Sequence, residues 1–516
     1  MFEEIADRLE RTQAAWIIAA VLILQCLIFV PVATVRPIDG DEGFYLLAAK
    51  LVFQGKQLYT DFFYPQMPLL PYVYGLWMSI FGFSWYAARL LSALLAVGTG
   101  LLLYKYVVRL TSKRPLGLLA VGLYVLSSLL LGWYTVAKTY SLSAFLLMSA
   151  VVLLPGKSNS RRQLRYILSG LLLGLAVDTR LLFLGIVPVF WLILCRSQES
   201  KPETCLRRQG WLLLGLVIGL LPNLWFFAVS PDIYIFNNIG YHAMRTGGGL
   251  FGFLHQKLLI VLELIGAWKA WGHVSLQLPI LLFANCYYLL LAWQLGKRLS
   301  FAFYVAAVLS VISLLPTPTF VQYFCVVVPF LIVNAILVTH WLDEAVPGGT
   351  ARVSLALLGV LVVVAYVLVA PVGVGQFLAP PAPDPLTGEG GGDWDIETNR
   401  IIAAQIDACT NPGEPVMTWW PGYLLESDAL IFPKMENHFG LRVANRLTSR
   451  QLDRYRIISE PEIAAHIREG ATRVVVLGNW VNRPSKVRYR QLLGESGYAL
   501  TRKIGETEIY IRLRSR

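Results

Sequence analysis

The chain has 516 residues, of which 56% are hydrophobic and only 15% charged, and its formal net charge is +12. Its mean hydropathy of +0.58 is well above that of ordinary soluble domains. These values exclude a soluble globular protein and predict a polytopic membrane protein. They do not predict nucleic-acid binding, because acids and bases nearly cancel in the C-terminal tail and the positive excess lies in short loops.

Apolar stretches recur along the first three quarters of the chain, most of them near the length of about 20 residues that a helix needs to cross a bilayer. We predict about 11 such spans. They cover 14–35, 85–110, 115–133, 140–154, 166–177, 181–195, 211–229, 274–295, 301–315, 320–341 and 353–377. Two shorter apolar stretches, 67–82 and 258–272, are interrupted by aromatic or charged residues and are predicted to lie at the outer interface.

Clusters of Lys and Arg between these spans predict which loops are cytoplasmic, by the positive-inside rule. With the N-terminus inside, an odd number of spans places the tail outside the plasma (inner) membrane. The cytoplasmic clusters comprise Lys113, Arg114, Lys157, Arg161, Arg162, Arg165, Arg196, Lys201, Arg207, Arg208, Lys297 and Arg298.

The composition divides the chain into two units. A membrane domain over 1–378, whose first outer loop is 36–84, is followed by a Pro- and Gly-rich linker at 379–395. The segment 396–516 is polar enough to fold in water, and its pattern of short apolar strands and one amphipathic helix predicts a small α/β domain. Its role stays open between guiding an acceptor and capping a site. Only Cys409 of the six cysteines lies in this tail, so no disulfide framework is predicted there.

Three acids stand directly after the first span, in "PIDGDEGFYLLAAK" (37–50). Asp39 and Glu42 have the spacing of a capping box, with Asp39 as N-cap and Glu42 reaching back. Asp41 is then left over. It is either an acid that complements the helix dipole or a catalytic carboxylate.

The first loop resembles that of the GT-C-type integral-membrane glycosyltransferases, in particular the protein O-mannosyltransferase and lipid A aminoarabinose transferase group. The resemblance rests on "DEGFY", then "MPLLPYVYGLW", then "FSWYAARLLSALL". Weaker similarities are "GLLLGLAVDTRLLFLGIVP" and "PTPTFVQYFCVVVPFL" further along. Tyr45, Pro68, Leu69 and Arg89 match the group's motifs. Phe44, Pro65 and Gln66 replace an Arg and a Glu-Lys pair of the aminoarabinose transferases.

The resemblance implies transfer of a sugar from a polyprenyl-phosphate donor to a hydroxyl of a glycan, lipid or protein acceptor of the cell envelope. A single displacement would invert the anomeric centre, and it requires a base at the acceptor hydroxyl and positive charge at the leaving phosphate. Asp41 is the candidate base, because partial burial would raise its pKa toward the working range. Glu42, Tyr45 and Asp61 are candidate substrate-binding residues.

Cations predicted on the outer side are candidates for binding the phosphate, and we favour Lys138 and Arg245 among them. Lys138 could instead extend to the lipid headgroups. The others are Arg89, Arg180 and His242. Arg180 could form an ion pair with Asp178 instead, and Tyr323 is either a sugar contact or a membrane-belt residue. His242 has no companion His or Cys at metal-ligand spacing, so neither a metal site nor a cofactor is predicted.

Two other classes of function fit the composition: a lipid-linked sugar flippase or transporter, and a noncatalytic membrane assembly protein. Transporters place ionisable residues near the middle of the bilayer, whereas here the acids cluster in an outer loop. Asp178 and Glu263 are the exceptions. The pattern therefore favours an enzyme that acts at the membrane surface.

The predicted topology can be tested by labelling single cysteines in intact cells with a membrane-impermeant thiol reagent. We expect cysteines at positions 41 and 242 to be labelled, and cysteines at positions 162, 207 and 297 to be labelled only after permeabilisation. Labelling at position 162 together with protection at position 41 would contradict the topology.

Overall fold

The computed structural model describes residues 2–154, 162–195, 202–245, 249–267, 276–345, 350–379 and 393–513. The first part is helical throughout. Its helices are α1 (Phe2–Val35), α2 (Glu42–Phe53), α3 (Leu69–Phe81), α4 (Trp85–Thr111), α5 (Arg114–Val125), α6 (Ser128–Tyr134), α7 (Thr139–Leu153), α8 (Arg162–Val177), α9 (Val187–Cys195), α10 (Pro202–Gly219), α11 (Leu221–Val229), α12 (Pro231–Ile235), α13 (Tyr241–Met244), α14 (Gly249–Leu264), α15 (Gln277–Gln294), α16 (Phe301–Leu314), α17 (Val328–Ala345) and α18 (Thr350–Leu378). Short 3₁₀ segments precede α9 (Leu181–Ile186) and α17 (Val321–Val326).

Among the described residues, four helices are long and apolar enough to cross a membrane, or six if each of two bent pairs counts as one span. The bent pairs are α5 with α6, at 66°, and most of α10 with α11, at 51°. Four further apolar helices are shorter. The multi-pass architecture is therefore confirmed, whereas the count of about 11 spans stays a prediction.

Helix α3 covers the first of the two stretches predicted at the outer interface. One of its faces packs on α2, where a Cβ added to Gly75 would lie 2.4 Å from the ring of Phe53. The other face leaves Leu76, Ile80 and Phe81 exposed. Such a two-sided helix suits a membrane boundary, and the interfacial position itself stays a prediction.

The C-terminal part is a mixed α/β domain, as predicted. The elements are α19 (Ile396–Cys409), β1 (Pro415–Thr418), β2 (Leu430–Ile431), α20 (Leu441–Ala444), α21 (Ser449–Arg454), α22 (Glu460–Glu469), β3 (Val474–Leu477), α23 (Arg483–Glu495), β4 (Tyr498–Ile504) and β5 (Thr507–Arg512). The five strands have the order β2-β1-β3-β5-β4, with β1 to β3 parallel and β5 antiparallel to both neighbours.

Local signals explain the boundaries of α22, the helix predicted in this domain. Ser459 and Glu462 form a capping box at its start. Gly470 ends it with φ of +66°, a left-handed conformation that glycine adopts without strain.

The C-terminal domain is fastened to the loop 36–84 of the membrane part. The Lys50 ammonium, in α2, donates to the carbonyls of Leu424 (2.9 Å) and Ser427 (2.6 Å). The Trp420 indole stacks on Trp85 at 5.9 Å between ring centres and donates to the Gly40 carbonyl at 2.9 Å. These contacts place the domain directly over the acidic stretch.

Three features of the sequence analysis fall wholly or partly outside the described residues. They are most of the linker 379–395, the end of the stretch 258–272, and part of the basic clusters, namely Lys157, Arg161, Arg196 and Lys201. On the side predicted to be cytoplasmic, a disulfide joins Cys195 to Cys205 across α9 and α10, a pairing that the sequence analysis did not anticipate.

Candidate active site

The acidic stretch forms the turn between α1 and α2. The Asp39 backbone N–H donates to Glu42 Oε2 at 2.8 Å, which is the backward half of the predicted capping box. The prediction that Asp39 caps α2 is wrong. Asp41 occupies the N-cap position without a side-chain capping bond, and Asp39 Oδ1 accepts from the Asp41 N–H at 3.1 Å.

Glu42 and Arg89 form a buried ion pair beneath this turn. Arg89 donates through Nε and Nη2 to the two Glu42 oxygens at 3.0 and 2.7 Å, and the side chains are 1% and 0% exposed. Both of its terminal nitrogens also donate to backbone carbonyls at the end of α1, of Ala33, Arg36 and Pro37. The pairing corrects the expectation that Glu42 and Arg89 bind substrate, because their hydrogen-bonding groups are occupied within the protein.

Lys138 lies between the other two acids. Its ammonium is 2.8 Å from Asp39 Oδ1 and 2.7 Å from Asp41 Oδ2, and its side chain is 4% exposed. The short segment between α6 and α7 places it there, and the Ala137 N–H in the same segment donates to Glu42 Oε1 at 2.8 Å. All three acids of the turn are thus anchored to neighbouring helices, while the carboxylates of Asp39 and Asp41 stay partly exposed.

The environment separates the pKa values of these two aspartates. Burial raises the pKa of Asp41, and the negative charge of Asp39 adds to this rise, which outweighs the opposing effect of Lys138. Burial acts on Asp39 too, but the charges of Lys138 and Arg36 outweigh it and lower the Asp39 pKa. Two carboxylates with pKa values moved apart can take different roles in one reaction.

Arg180 lies between aromatic rings, and one of them, Tyr140, also contacts Lys138. Its guanidinium is 4.5 Å from the ring centre of Tyr323 and 5.2 Å from that of Tyr140. The ion pair with Asp178 that the sequence left open does not form. Among the described residues, Arg180 has no carboxylate within ion-pair distance, and neither Asp178 oxygen has a hydrogen-bond partner. Arg180 therefore keeps its positive charge uncompensated at the site.

Tyr45 and Tyr323 are neighbours of these charges. Tyr45 is buried in α2, and the charges of Asp41, Lys138 and Arg180 all act on the pKa of its hydroxyl. Tyr323 stands in the 3₁₀ segment before α17 with its ring under Arg180. The structure thus places both tyrosines at the site, and Tyr323 is buried rather than in an exposed membrane belt.

His242 lies in α13, and Arg245 directly follows that helix. His242 Nε2 is 3.0 Å from the Pro65 carbonyl, and burial together with the charges of Arg245 and Arg180 lowers its pKa to about 4. The imidazole is therefore neutral at neutral pH. Arg245 lies 6.0 Å from the ring centre of Tyr241.

Asp61, a predicted substrate-binding residue, has a local structural role. It is exposed, and its Oδ2 accepts from the Gln57 N–H at 2.7 Å within its own turn. No described contact joins Asp61 to Asp39, Asp41 or Lys138.

The C-terminal domain contributes two residues near Asp41, Trp480 and Arg442, that the sequence did not predict. Trp480 packs on the backbone between the two aspartates, since a Cβ added to Gly40 would lie 2.9 Å from its ring. The charge of Arg442 acts on the pKa of Asp41. No local pattern marks these two residues, because they lie some 400 positions from Asp41 in the sequence and only the fold brings them near.

Comparison with known proteins agrees with this architecture. Residues 65–226 match the dolichyl-phosphate-mannose-protein mannosyltransferase family. That stretch includes Arg89, Lys138 and Arg180. The comparison with curated proteins found no match.

Solved structures match over nearly the full length. One is ArnT from Cupriavidus metallidurans bound to undecaprenyl phosphate, with 14% identity, coverage of 97% of this chain and 98% of that chain, and a TM-score of 0.65. Another is the oligosaccharyltransferase AglB from Archaeoglobus fulgidus in complex with an inhibitory peptide and a dolichol-phosphate, with 14% identity, coverage of 97% and 75%, and a TM-score of 0.50. The chain therefore has the fold of the GT-C glycosyltransferases, and the resemblance found in the sequence is confirmed.

We expect Arg89→Met to destabilise the protein strongly, because it leaves Glu42 buried and uncompensated, at a cost of about 3–5 kcal/mol. Thermal unfolding of the purified protein in detergent measures the change. Lys105→Met, at an exposed position on the same helix, is the control and should unfold near the wild-type temperature. The double variant Glu42→Gln/Arg89→Met should recover part of the loss. A single variant as stable as the control would show that the pair does not hold the turn.

Proposed function

We propose that this protein is an inverting glycosyltransferase that moves a sugar from a polyprenyl-phosphate donor to an acceptor hydroxyl at the outer face of the membrane. The observation that carries the proposal is the arrangement of Asp39, Lys138 and Asp41 at the first outer loop, with the uncompensated Arg180 beside it. The lipid carriers named for the two structural neighbours, undecaprenyl phosphate and dolichol-phosphate, support the choice of donor.

Asp41 is our candidate for the general base. It is partly exposed and can reach a substrate, and its raised pKa suits a group that must accept a proton near neutral pH. Asp39 is the more strongly ionised of the two. We infer that Asp39 holds the Lys138 ammonium, which in turn orients Asp41 toward the acceptor hydroxyl.

Arg180 is our candidate for binding the leaving phosphate. The sequence favours Lys138 and Arg245, but two carboxylates already compensate the charge of Lys138. Arg180 presents a planar guanidinium that suits phosphate oxygens, and the rings of Tyr140 and Tyr323 hold its position. Arg245 and neutral His242 would also contact the phosphate, Arg245 through its charge and His242 through a hydrogen bond.

In this scheme the acceptor oxygen gives its proton to Asp41 and attacks the anomeric carbon from the face opposite the phosphate. The bond from carbon to the phosphate oxygen breaks, and the lipid phosphate leaves as an anion beside Arg180. One displacement gives inversion, through a transition state with oxocarbenium character. Under the predicted topology the reaction takes place on the outer side of the inner membrane.

The variants Asp41→Asn and Asp39→Asn separate the two aspartates. Asp41→Asn keeps the size of the side chain but removes the proton acceptor, so transfer should fall by about 10² to 10⁴. Asp39→Asn keeps an oxygen for the Asp41 N–H, loses one ionic partner of Lys138, and should cost less. Both are assayed with a polyprenyl-phosphate sugar and normalised to folded protein. Near-normal transfer by Asp41→Asn would overturn the assignment of the base, and inactivity of the wild type with every such donor would overturn the function.

The rate of transfer should fall with decreasing pH as Asp41 is protonated. Because its pKa is raised, the fall should centre above the ordinary aspartate value of 3.8. In Lys138→Met the opposing positive charge is gone, so the Asp41 pKa rises further and the acid limb should move to higher pH. A pH–rate profile of both proteins measures this shift, with Lys105→Met as control. An unchanged or lowered acid limb in Lys138→Met would contradict the proposed coupling.

A further inference from the structure

One segment of the C-terminal domain is strongly basic. Between 441 and 456, in "LRVANRLTSRQLDRYR", arginine occurs five times and the sole acid is Asp453. The segment contains α20 and α21 and faces the outer loops of the membrane part. We call it the arginine segment.

Three of its arginines fasten the domain to the membrane part. Arg446 donates to the Met244 carbonyl, Arg454 forms an ion pair with Asp232, and Arg456 donates to the Thr60 carbonyl at 2.9 Å. Tyr455 stacks on Phe236 at 3.7 Å between ring centres. These contacts have a structural purpose and need no ligand.

Arg442 and Arg450 are different. Neither has a carboxylate or hydrogen-bond partner among the residues that the structure describes, and both are exposed. Arg450 lines a surface cleft of about 400 Å³ between the two parts of the protein, together with Thr60, Ile233, Asp453, Arg454 and Arg456. Since Asp453 is paired with Lys434 at 2.6 Å and Arg454 with Asp232, Arg450 and Arg456 leave the cleft positively charged.

Arg442 stands at the catalytic end of the segment. Its guanidinium is held 4.9 Å from the ring centre of Phe439 and 5.3 Å from that of Trp480, the residue that packs on Gly40. Its charge opposes the rise in the pKa of Asp41 that burial causes, and the charges of Arg442 and Asp41 both act on the pKa of Tyr241. Through Trp480, Arg442 therefore lies next to the turn that carries Asp41.

The direction of the reaction indicates which substrate meets these arginines. The base contacts the acceptor oxygen, which lies on the face of the sugar opposite the phosphate. Residues on the far side of Asp41 from the sugar therefore face the acceptor rather than the lipid phosphate. Arg442 and Arg450 belong to the C-terminal domain, outside the membrane helices. Exposed guanidinium groups without partners bind carboxylate or phosphate oxygens well.

We propose that the acceptor is an anionic glycan, which lies along the arginine segment with a carboxylate or phosphate group at Arg442 and another in the cleft at Arg450. The proposal rests on the transferase function above and names its acceptor class. The C-terminal domain is then a part of the acceptor site, and its docking on the outer loops shapes that site.

Binding to the full chain in nanodiscs of neutral phosphatidylcholine tests the proposal with two probes, pentagalacturonate and the uncharged maltopentaose. We expect pentagalacturonate to bind at least about tenfold more tightly, and its binding to weaken as salt is added. Arg442→Gln and Arg450→Gln should each weaken it about tenfold. Arg502→Gln, at an exposed arginine on strand β4 outside the cleft, is the matched control and should bind as wild type. Thermal unfolding of each variant shows that it is folded.

Equal binding of the two probes, or equal losses in the control and the two test variants, would overturn the proposal. Loss of pentagalacturonate binding in nanodiscs that contain phosphatidylglycerol would overturn it as well, because lipid headgroups would then be the occupant. The binding measurement needs no catalysis. An inactive wild type that still binds pentagalacturonate through Arg442 would refute the transferase function and leave the anionic-glycan site standing.

Discussion

The buried ion pair between Glu42 and Arg89 is the contact on which the geometry of the site depends. Arg89 projects from α4 and binds, with one guanidinium, the first residue of α2 and three carbonyls at the end of α1. The Glu42 oxygens also accept hydrogen bonds from the N–H groups of Asp39 and Ala137. Two charges so deeply buried are costly to desolvate, and their mutual attraction with many hydrogen bonds offsets that cost. The pair fixes the turn that presents Asp39 and Asp41.

Above that pair, the distribution of charge gives the three acids different properties. Glu42 is fully buried and structural, Asp39 is ionised beside Lys138, and Asp41 combines partial exposure with a raised pKa. Lys138 contacts both carboxylates, but the charge of Arg36 lowers the pKa of Asp39 further. The pKa values of the two aspartates therefore move apart. This asymmetry gives one carboxylate the property a base needs while the other stays charged.

The C-terminal domain takes part in the site because it packs on the backbone of the acidic turn. Trp420 binds the Gly40 carbonyl, Trp480 packs on Gly40 itself, and Lys50 binds carbonyls of the domain from below. A side chain at position 40 would collide with Trp480, so glycine there permits the close approach of the two parts. The sequence left the role of this domain open, and its position above Asp41 makes it a wall of the site.

The sequence by itself determined the membrane class, the bounds of several apolar helices, the α/β tail and the cluster of acids in the first loop. Hydrophobic length, basic clusters and capping residues act over a few neighbouring positions, so they can be read without the fold. The partners of each charge were decided by the tertiary structure. The sequence predicts Asp39 as a helix cap, but its carboxylate binds Lys138, 99 positions away. The sequence predicts Glu42 and Arg89 as substrate contacts, but they pair with each other. Ionic interactions depend on distance and burial in three dimensions, and a carboxylate shows neither in its own sequence neighbourhood.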